Sequence, residues 1–450
     1  MTVRLAFEDG TLRISSDRES DPPLGGLPGV EADPRSDTAR APAMFYAPIR
    51  DLLRELDADV EDCVLAADSL ALSTSYELRD YQQDALDAWV DSNRRGVLEL
   101  PTGAGKTVIA LAAIADTETP TLIVVPTIDL LEQWQRELET EFDAPIGRLG
   151  GGEQRVERVT VSTYDSAYLR ADELGDRFGL VVFDEVHHLG AEGYQDIARL
   201  MAAPDRLGLT ATFERPDGAH EAIRELVGPR VYGIDVDDLA GDHLAPYEIR
   251  RIEVELTPEE RAEYDDAQGT FVDYVRKSNI SFSSGSDYLQ LVKRSGNDPA
   301  AREALLAKQR ARELMMNAEN KRHQLARILD RHREDRIIVF TAHTELVYRL
   351  SERFLLPAIT NETGASERRE ILERFRDGTY SRIVAANVLD EGVDVPDANV
   401  AVVLSGSGSE REFTQRLGRI LRPKDDGGRA VLYELVSAET AEERVAERRR

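Results

Sequence analysis

The sequence predicts an α/β protein of two parallel-sheet lobes, with a small α+β domain at the N-terminus and a helical insertion between the lobes. Three observations predict it. Short apolar runs alternate with longer amphipathic stretches, and the alternation occurs twice along the chain. The segment between the two series lacks such runs and carries a helical pattern. The first residues instead show the period of two that marks a hairpin. The 450 residues, at ~150 per domain, allow about three domains. A composition 41% hydrophobic and 31% charged supplies a substantial core.

In order along the chain, Val3, Leu5 and Phe7 alternate with polar residues, Asp9-Gly10 turns, and Leu12 and Ile14 continue the alternation. Residues 20 to 42 are rich in Pro, Gly, Asp and Arg and read as a long loop. A helical period resumes from Ile49 to Leu56, so residues 1–72 form a small domain without a chemical motif. The first lobe, 73–240, holds the runs VLEL (97–100), TLIVV (121–125), VTVS (159–162), LVVF (180–183) and LGLT (207–210). Strands alternating with helices imply right-handed crossovers and a sheet covered on both faces. Residues 241–330 read as helices, among them TPEERAEYDDA and a long stretch from Asp298 to Arg333. The second lobe, 331–450, restarts the alternation with RIIVF (336–340), RIVAA (382–386), VAVVL (400–404) and AVLYELV (430–436).

Fifty-six cations against 85 anions give a formal charge of −29, which at first argues against a nucleic-acid partner. Only Lys106, Lys277, Lys293, Lys308, Lys321 and Lys424 are lysines, and a carboxylate coat poor in lysine reads as adaptation to high salt. The coat is uneven: residues 276–322 carry ten cations against five anions. Cys63 is the single cysteine, which excludes disulfide frameworks and cysteine-based zinc sites. The start MTVRLAFEDG has no basic and apolar leader pattern, and no apolar run approaches the ~18 residues of a membrane span. A cytoplasmic protein with no membrane partner is expected.

The stretch Leu98-Glu99-Leu100-Pro101-Thr102-Gly103-Ala104-Gly105-Lys106-Thr107 follows the first strand and leads into the helical run VIALAAIA. Strand, glycine loop and helix in that order form a phosphate-binding turn. Gly103 and Gly105 let backbone N–H groups curl around a phosphate, with Thr102 and Ala104 in the same cradle. Lys106 neutralises the β- and γ-phosphates and Thr107 ligates Mg²⁺. The general pattern has Gly at position 100, where this chain has Leu.

Val181-Val182-Phe183-Asp184-Glu185-Val186-His187-His188 supplies the second half of such a site: an apolar strand delivering two carboxylates to the sheet's carboxyl edge. Asp184 holds Mg²⁺ through water and Glu185 polarises the attacking water. His187 and His188 have no third ligand at a useful spacing for zinc. No Asn-Lys-x-Asp guanine box exists, so the nucleotide is expected to be ATP, and Arg79-Asp80-Tyr81-Gln82 places an amide for adenine. Downstream, Arg416, Arg419 and Arg422 fall at i, i+3 and i+6 on one helix face, so Arg419 and Arg422 are candidates to reach the γ-phosphate when the lobes close.

LPTGAGKT, DEVH, Thr210-Ala211-Thr212, the run from Ala386 to Pro396 and QRLGRILR, in this order, resemble the motif series of superfamily-two helicases. More narrowly the chain is similar to archaeal XPB-type DNA repair helicases, strongly over residues 78–423 and weakly over the first 70. The resemblance implies a damage-recognition domain, two RecA-like lobes and a thumb-like helical insertion. It implies a 3′–5′ DNA helicase or translocase of nucleotide-excision repair that uses ATP and Mg²⁺, acts as a monomeric motor and works with a nuclease partner. Residue by residue, it places Gln82, beside Arg79, on adenine and makes His187, Thr210 and Thr212 the link between ATP and DNA. Gly392 and Asp394 approach the nucleotide from the second lobe, with Gln415 near the γ-phosphate. Pro126, Thr127, Thr163 and Thr341 sit in motifs that touch the nucleic-acid backbone. Relatives carry an Arg-Glu-Asp loop after the Thr-Ala-Thr triplet; here Arg215-Pro216-Asp217 lacks the central Glu on which a strand-separating role would rest.

Independently of the resemblance, a motor on DNA must grip phosphates, and Lys293, Arg294, Lys308 and Arg310 belong to the one cationic concentration. Phe271, Tyr274, Phe282 and Tyr288 near its start offer faces for an exposed base. Two rival readings remain: the motor subunit of a restriction-type system and an RNA-remodelling ATPase. For a built-in nuclease, the only Glu-x-Lys or Asp-x-Lys, Glu319-Asn320-Lys321, falls inside a helical pattern.

Overall fold

The structure, a computed structural model, describes residues 2–16, 26–34, 36, 38–65, 69–101, 103–191, 193–214, 218–234, 247–278, 285–386, 398–404 and 430–443. The chain divides into two compact units, the first running to residue 243 and the second beginning at residue 244.

The first unit opens with a five-stranded sheet. β1 (Thr2–Glu8) and β2 (Thr11–Ser16) form the expected hairpin, with Leu5 opposite Ile14 and the turn at Asp9-Gly10. The long-loop expectation for 20–42 is corrected in its second half. β3 (Glu31–Ala32) and β4 (Ala39–Pro42) extend the sheet, because Ala39 and Ala41 alternate inward behind a polar composition. Helix α1 (Tyr46–Glu55) covers one face, and β5 (Asp59–Cys63) adds a parallel edge to β1. The sequence DVEDC hid β5 since an edge strand with mostly exposed residues needs no apolar run.

This sheet docks on the following lobe. Ala202 belongs to its core, and a Cβ added to Gly175 would run into the Phe7 ring and the Leu200 carbonyl. The lobe itself begins with α2 (Asp80–Asp91) and β6 (Arg95–Glu99), then α3 (Lys106–Thr117), β7 (Thr121–Val125), α4 (Ile128–Glu141), β8 (Ile146–Gly150), β9 (Glu153–Arg155) and β10 (Val159–Thr163). It continues with α5 (Tyr164–Leu169), α6 (Ala171–Leu174), β11 (Leu180–Asp184), α7 (Gln195–Arg199), β12 (Asp205–Thr210), α8 (His220–Leu226) and β13 (Arg230–Gly233). The sheet order is β13-β6-β12-β11-β7-β10-β8-β9, parallel except for the β8–β9 hairpin. β7, β10 and β11 are buried along their whole length, which explains the apolar runs of β7 and β11, while β10 buries Thr160, Ser162 and Thr163 between its valines. The N-terminal sheet meets the lobe around residues 175 and 200–202, just before β11 and β12 begin. That edge lies opposite the carboxyl ends where the sheet delivers 100–107, 184–185 and 210.

In the second unit the six strands among the described residues are parallel, in the order β14-β19-β18-β15-β17-β16. The expected runs become β15 (Ile337–Phe340), β17 (Arg382–Ala385), β18 (Val400–Val403) and β19 (Ala430–Ser437), with β16 (Ala358–Ile359) at one edge. β14 (Tyr247–Val254) contradicts the purely helical reading of its segment: it pairs with β19 over eight residues. Arg250 and Arg251 disguise it: Arg250 pairs with Glu248 on its own strand and reaches Tyr433 on β19, and Arg251 reaches Glu434 on β19.

Between β14 and β15 stand α9 (Pro258–Ser278), α10 (Gly285–Ser295), α11 (Pro299–Met316) and α12 (Glu319–Arg331). The expected continuous helix from Asp298 to Arg333 is broken at Asn317-Ala318. α9 and α11 share a core of Tyr264, Ala267, Ala311 and Leu314, whereas Leu325, Ile328 and Leu329 of α12 belong to the sheet's core. Helices α13 (Thr344–Phe354) and α14 (Ala365–Arg376) complete the described part. Among the described residues no helix is long and apolar enough to cross a membrane.

Candidate functional site

The glycine loop connects β6 to α3 with Gly103 at φ 88° and Gly105 at φ 80°, a left-handed backbone that other residues adopt at a cost. Leu100, where the pattern has Gly, is fully buried and its N–H donates to the Thr210 carbonyl at 3.0 Å. That position ends the sheet, so its side chain enters the core and leaves the loop unhindered. Lys106 Nζ donates to the Leu100 carbonyl at 3.0 Å, and Thr107 lies in the first turn of α3.

The Gln82 amide does not stand open for a base. Its Nε2 donates to the Ala104 carbonyl at 3.0 Å, joined by the Tyr81 hydroxyl at 2.8 Å, while its Oε1 accepts from the Arg79 N–H at 3.0 Å. Gln82 thus caps α2 and braces the loop, and reading adenine requires exchange of these bonds.

Asp184 ends β11 and Glu185 follows it, 7% and 8% exposed. Asp184 Oδ2 accepts from Trp134 Nε1 at 2.8 Å and Oδ1 from the Glu185 N–H at 3.0 Å. Burial raises the Asp184 carboxyl above the ordinary range, against the Trp134 hydrogen bond and the charge of Lys106. Glu185 sits at φ 48°, a strained left-handed position of the kind that concentrates at functional sites. The Asp184 carboxylate and Thr107 hydroxyl are hard oxygens, the donor class Mg²⁺ takes when nucleotide phosphates supply further ligands.

His187, 3% exposed, brings its Nδ1 3.4 Å from Glu185 Oε2 and 3.5 Å from Thr210 Oγ1. Thr210 Oγ1 in turn accepts from the Thr212 N–H at 3.1 Å and donates to its carbonyl at 2.9 Å. A contiguous chain therefore runs from Glu185 through His187 to the Thr-Ala-Thr turn, and the Leu100–Thr210 backbone bond returns it to the phosphate loop.

The residues assigned to DNA fare unevenly. Thr127, next to Pro126, caps α4 by accepting from the Leu130 N–H, and Thr163 caps α5 by accepting from the Ser166 N–H. Thr163 is 7% exposed and Thr341 is not exposed at all, and in this conformation both hydroxyls accept from backbone N–H groups beside them, those of Ser166 and His343. In the helical insertion Lys293 and Arg294 are exposed. Arg310 is paired with Glu263 at 2.6 Å and Glu313 at 3.5 Å, and Lys308 lies 5.0 Å over the Phe271 ring. Phe271 is thereby engaged by a lysine, and the Tyr274 hydroxyl reaches Asp298. The side chains of Phe282 and Tyr288, like Thr102, Arg215-Pro216-Asp217, Gly392, Asp394, Gln415, Arg416, Arg419 and Arg422, lie outside the described residues.

Sequence reasoning missed Tyr81, Trp134 and Tyr164, the last donating its hydroxyl to the Asp184 carbonyl at 3.2 Å. Tyr81 alone carried a signal, its position beside Gln82. Trp134 and Tyr164 look like ordinary core residues in one dimension.

Family models match three segments: "Xeroderma pigmentosum group B helicase damage recognition domain" over residues 5–64, "Type III restriction enzyme, res subunit" over 75–215, and "ERCC3/RAD25/XPB C-terminal helicase" over 301–450. A protein of Sulfurisphaera tokodaii named DNA 3′-5′ translocase XPB2 is 46% identical, across 94% of this chain and 96% of its own length. The Halobacterium salinarum protein named putative DNA 3′-5′ helicase Rad25 is 34% identical, over 91% of this chain and 63% of its own. The DNA 3′-5′ helicase XPB of Mycobacterium tuberculosis is 31% identical, over 89% and 69%. Among solved structures, the helicase domain of Pyrococcus furiosus Hef superposes with a TM-score of 0.55 at 20% identity, covering 83% of this chain and 98% of that one. The likeness in fold bears out the expected RecA-like lobes.

Proposed function

Because the chain belongs to the XPB family of superfamily-two DNA helicases and translocases, we propose that its nucleotide site drives 3′–5′ movement on DNA in the service of DNA repair. The observation that carries the reading is the unbroken set of contacts joining the loop at 103–107, Asp184-Glu185 and Thr210-Thr212 through His187. The restriction-motor and RNA-remodelling readings are not favoured: relatives that match nearly the whole chain bear XPB names.

Bound ATP and Mg²⁺ supply the phosphoryl group and the cation that neutralises its charge. Around them the chain's own residues do the following. Backbone N–H groups of the glycine loop and the first turn of α3 cradle the phosphates. Lys106 exchanges the Leu100 carbonyl for phosphate oxygens, and Asp184 and Thr107 offer the oxygens for the cation. Glu185 accepts a proton from the attacking water, and its contact with His187 carries the change at the γ-position toward Thr210. From the second lobe Arg419 and Arg422 stabilise the developing charge, Gly392 and Asp394 approach the nucleotide and Gln415 the γ-phosphate; this part rests on the motif order. Residues 1–72 sense damage, 73–240 and 331–450 form the motor lobes, and 241–330 is the thumb. A monomeric motor working with a nuclease partner and adapted to high salt completes the proposal.

The test is ATP hydrolysis at molar KCl with single-stranded DNA, duplex DNA and RNA side by side. DNA should stimulate turnover most, and Lys106→Ala or Glu185→Gln should each abolish the stimulated rate. Wild-type turnover in either variant, or stimulation by RNA alone, overturns the assignment.

A further inference from the structure

Asp184 is held from two directions besides its own strand. The Trp134 indole, 1% exposed and two turns into α4, donates to the carboxylate, and the Tyr164 hydroxyl, also 1% exposed and at the start of α5, donates to the Asp184 carbonyl. These are the helices capped by Thr127 and Thr163, which stand at the carboxyl ends of β7 and β10. α4 continues without a break from Ile128 to Glu141, so a displacement at its capped end is delivered to the indole as a rigid-body movement.

We propose that Trp134 is a positioning residue that fixes the orientation of the cation-binding carboxylate of Asp184 and couples it to α4, with Tyr164 giving parallel support from α5. The inference rests on the DNA-motor reading of the same site. Each oxygen of Asp184 has two acceptor sites. Trp134 Nε1 occupies one on Oδ2 and the Glu185 N–H one on Oδ1, so a site on each oxygen remains for a cation-bound water. The Glu185 bond is to the adjacent backbone and travels with Asp184 itself. Trp134 is the donor from another element, so it alone of the two can report the position of that element. What an indole offers here that a phenyl ring lacks is one N–H aimed at the carboxylate. Partners behind a ligating group set its orientation, and their loss typically weakens metal binding by about 10–100-fold.

The chain has two tryptophans, Trp89 and Trp134, which makes the indole its own probe. In the full-length Trp89→Phe protein, emission should change on adding ADP with Mg²⁺, change much less with ADP in EDTA, and change again on adding a duplex oligonucleotide without nucleotide. Where Trp89→Phe does not fold, the difference between wild type and Trp134→Phe gives the same signal. In calorimetry, Trp134→Phe should weaken the Mg²⁺-dependent part of ADP binding by about tenfold and leave binding in EDTA at the wild-type value. A packing role alone would not separate those two affinities. Tyr164→Phe should reduce the emission response to the oligonucleotide.

Equal emission changes with and without Mg²⁺, an emission blind to the oligonucleotide, or an unaltered Mg²⁺ dependence in Trp134→Phe each overturn the proposal. If wild-type hydrolysis is stimulated by DNA while Trp134→Phe behaves as wild type, this inference alone fails. If DNA does not stimulate the wild type, the motor reading fails, and the Mg²⁺ comparison still judges Trp134.

Discussion

Lys321 shows how far a residue's surroundings can overrule its type. By sequence it belongs to the cationic stretch expected to hold DNA, yet it is 1% exposed, with Nζ donating to the Leu404 carbonyl at 2.8 Å and Glu442 at 2.6 Å. Burial lowers its pKa, and Glu442 opposes the shift. It ties α12 to the end of β18 and to the residues after β19. Lys321→Ala should destabilise the second unit by about 3–5 kcal/mol, because Glu442 loses its counter-charge; urea unfolding measures it. Asp205 makes the opposite case at the start of β12: burial raises its pKa to about 6 despite Arg94, Arg50 and Arg95. A raised carboxyl contributes stability that is present below the unfolded value and lost as pH rises through about 6. Asp205→Asn should therefore stabilise the protein at pH 7.5, by about 3 kcal/mol, and the gain should vanish near pH 3.5. Thermal unfolding at the two values checks the sign.

At the scale of elements, the helical insertion sorts its cations by what its own helices offer them. Arg310 faces Glu263 on α9, and Lys308 lies on Phe271, while Lys293 and Arg294 at the end of α10 are exposed. A cation already paired releases less counterion on meeting a phosphate. The double substitution Lys293→Gln, Arg294→Gln should lower the slope of log affinity for duplex DNA against log salt by about 1–2, and Arg310→Gln should lower it less. Fluorescence anisotropy across a KCl series reads both. Strand legibility follows the same physics. β7 and β11 are buried on both faces and appear as apolar runs, whereas β4, β5 and β14 carry polar or charged residues and declare themselves only through their partners.

Over the whole molecule, a charge of −29 makes self-repulsion the term that salt controls most directly. At 1 M the screening length is about 3 Å, so the melting temperature should rise steadily from 0.1 to 2 M KCl; a flat or falling curve in a thermal melt would count against the high-salt reading. The sequence by itself determined the two-lobed α/β class, the phosphate loop, the two carboxylates and the order of motifs, because each is local: a strand's burial and a loop's glycines are written in neighbouring residues. The tertiary structure alone decided that Gln82 braces the loop, that Leu100 belongs to the core, that His187 bridges Glu185 and Thr210, and that Trp134 holds Asp184 from 50 residues away. It also decided that Lys321 and Arg310 are paired within the protein. Those outcomes depend on which side chains meet after the strands take their places in the sheet, and a sheet ordered β13-β6-β12-β11-β7-β10 brings together residues whose spacing in the chain carries no sign of it.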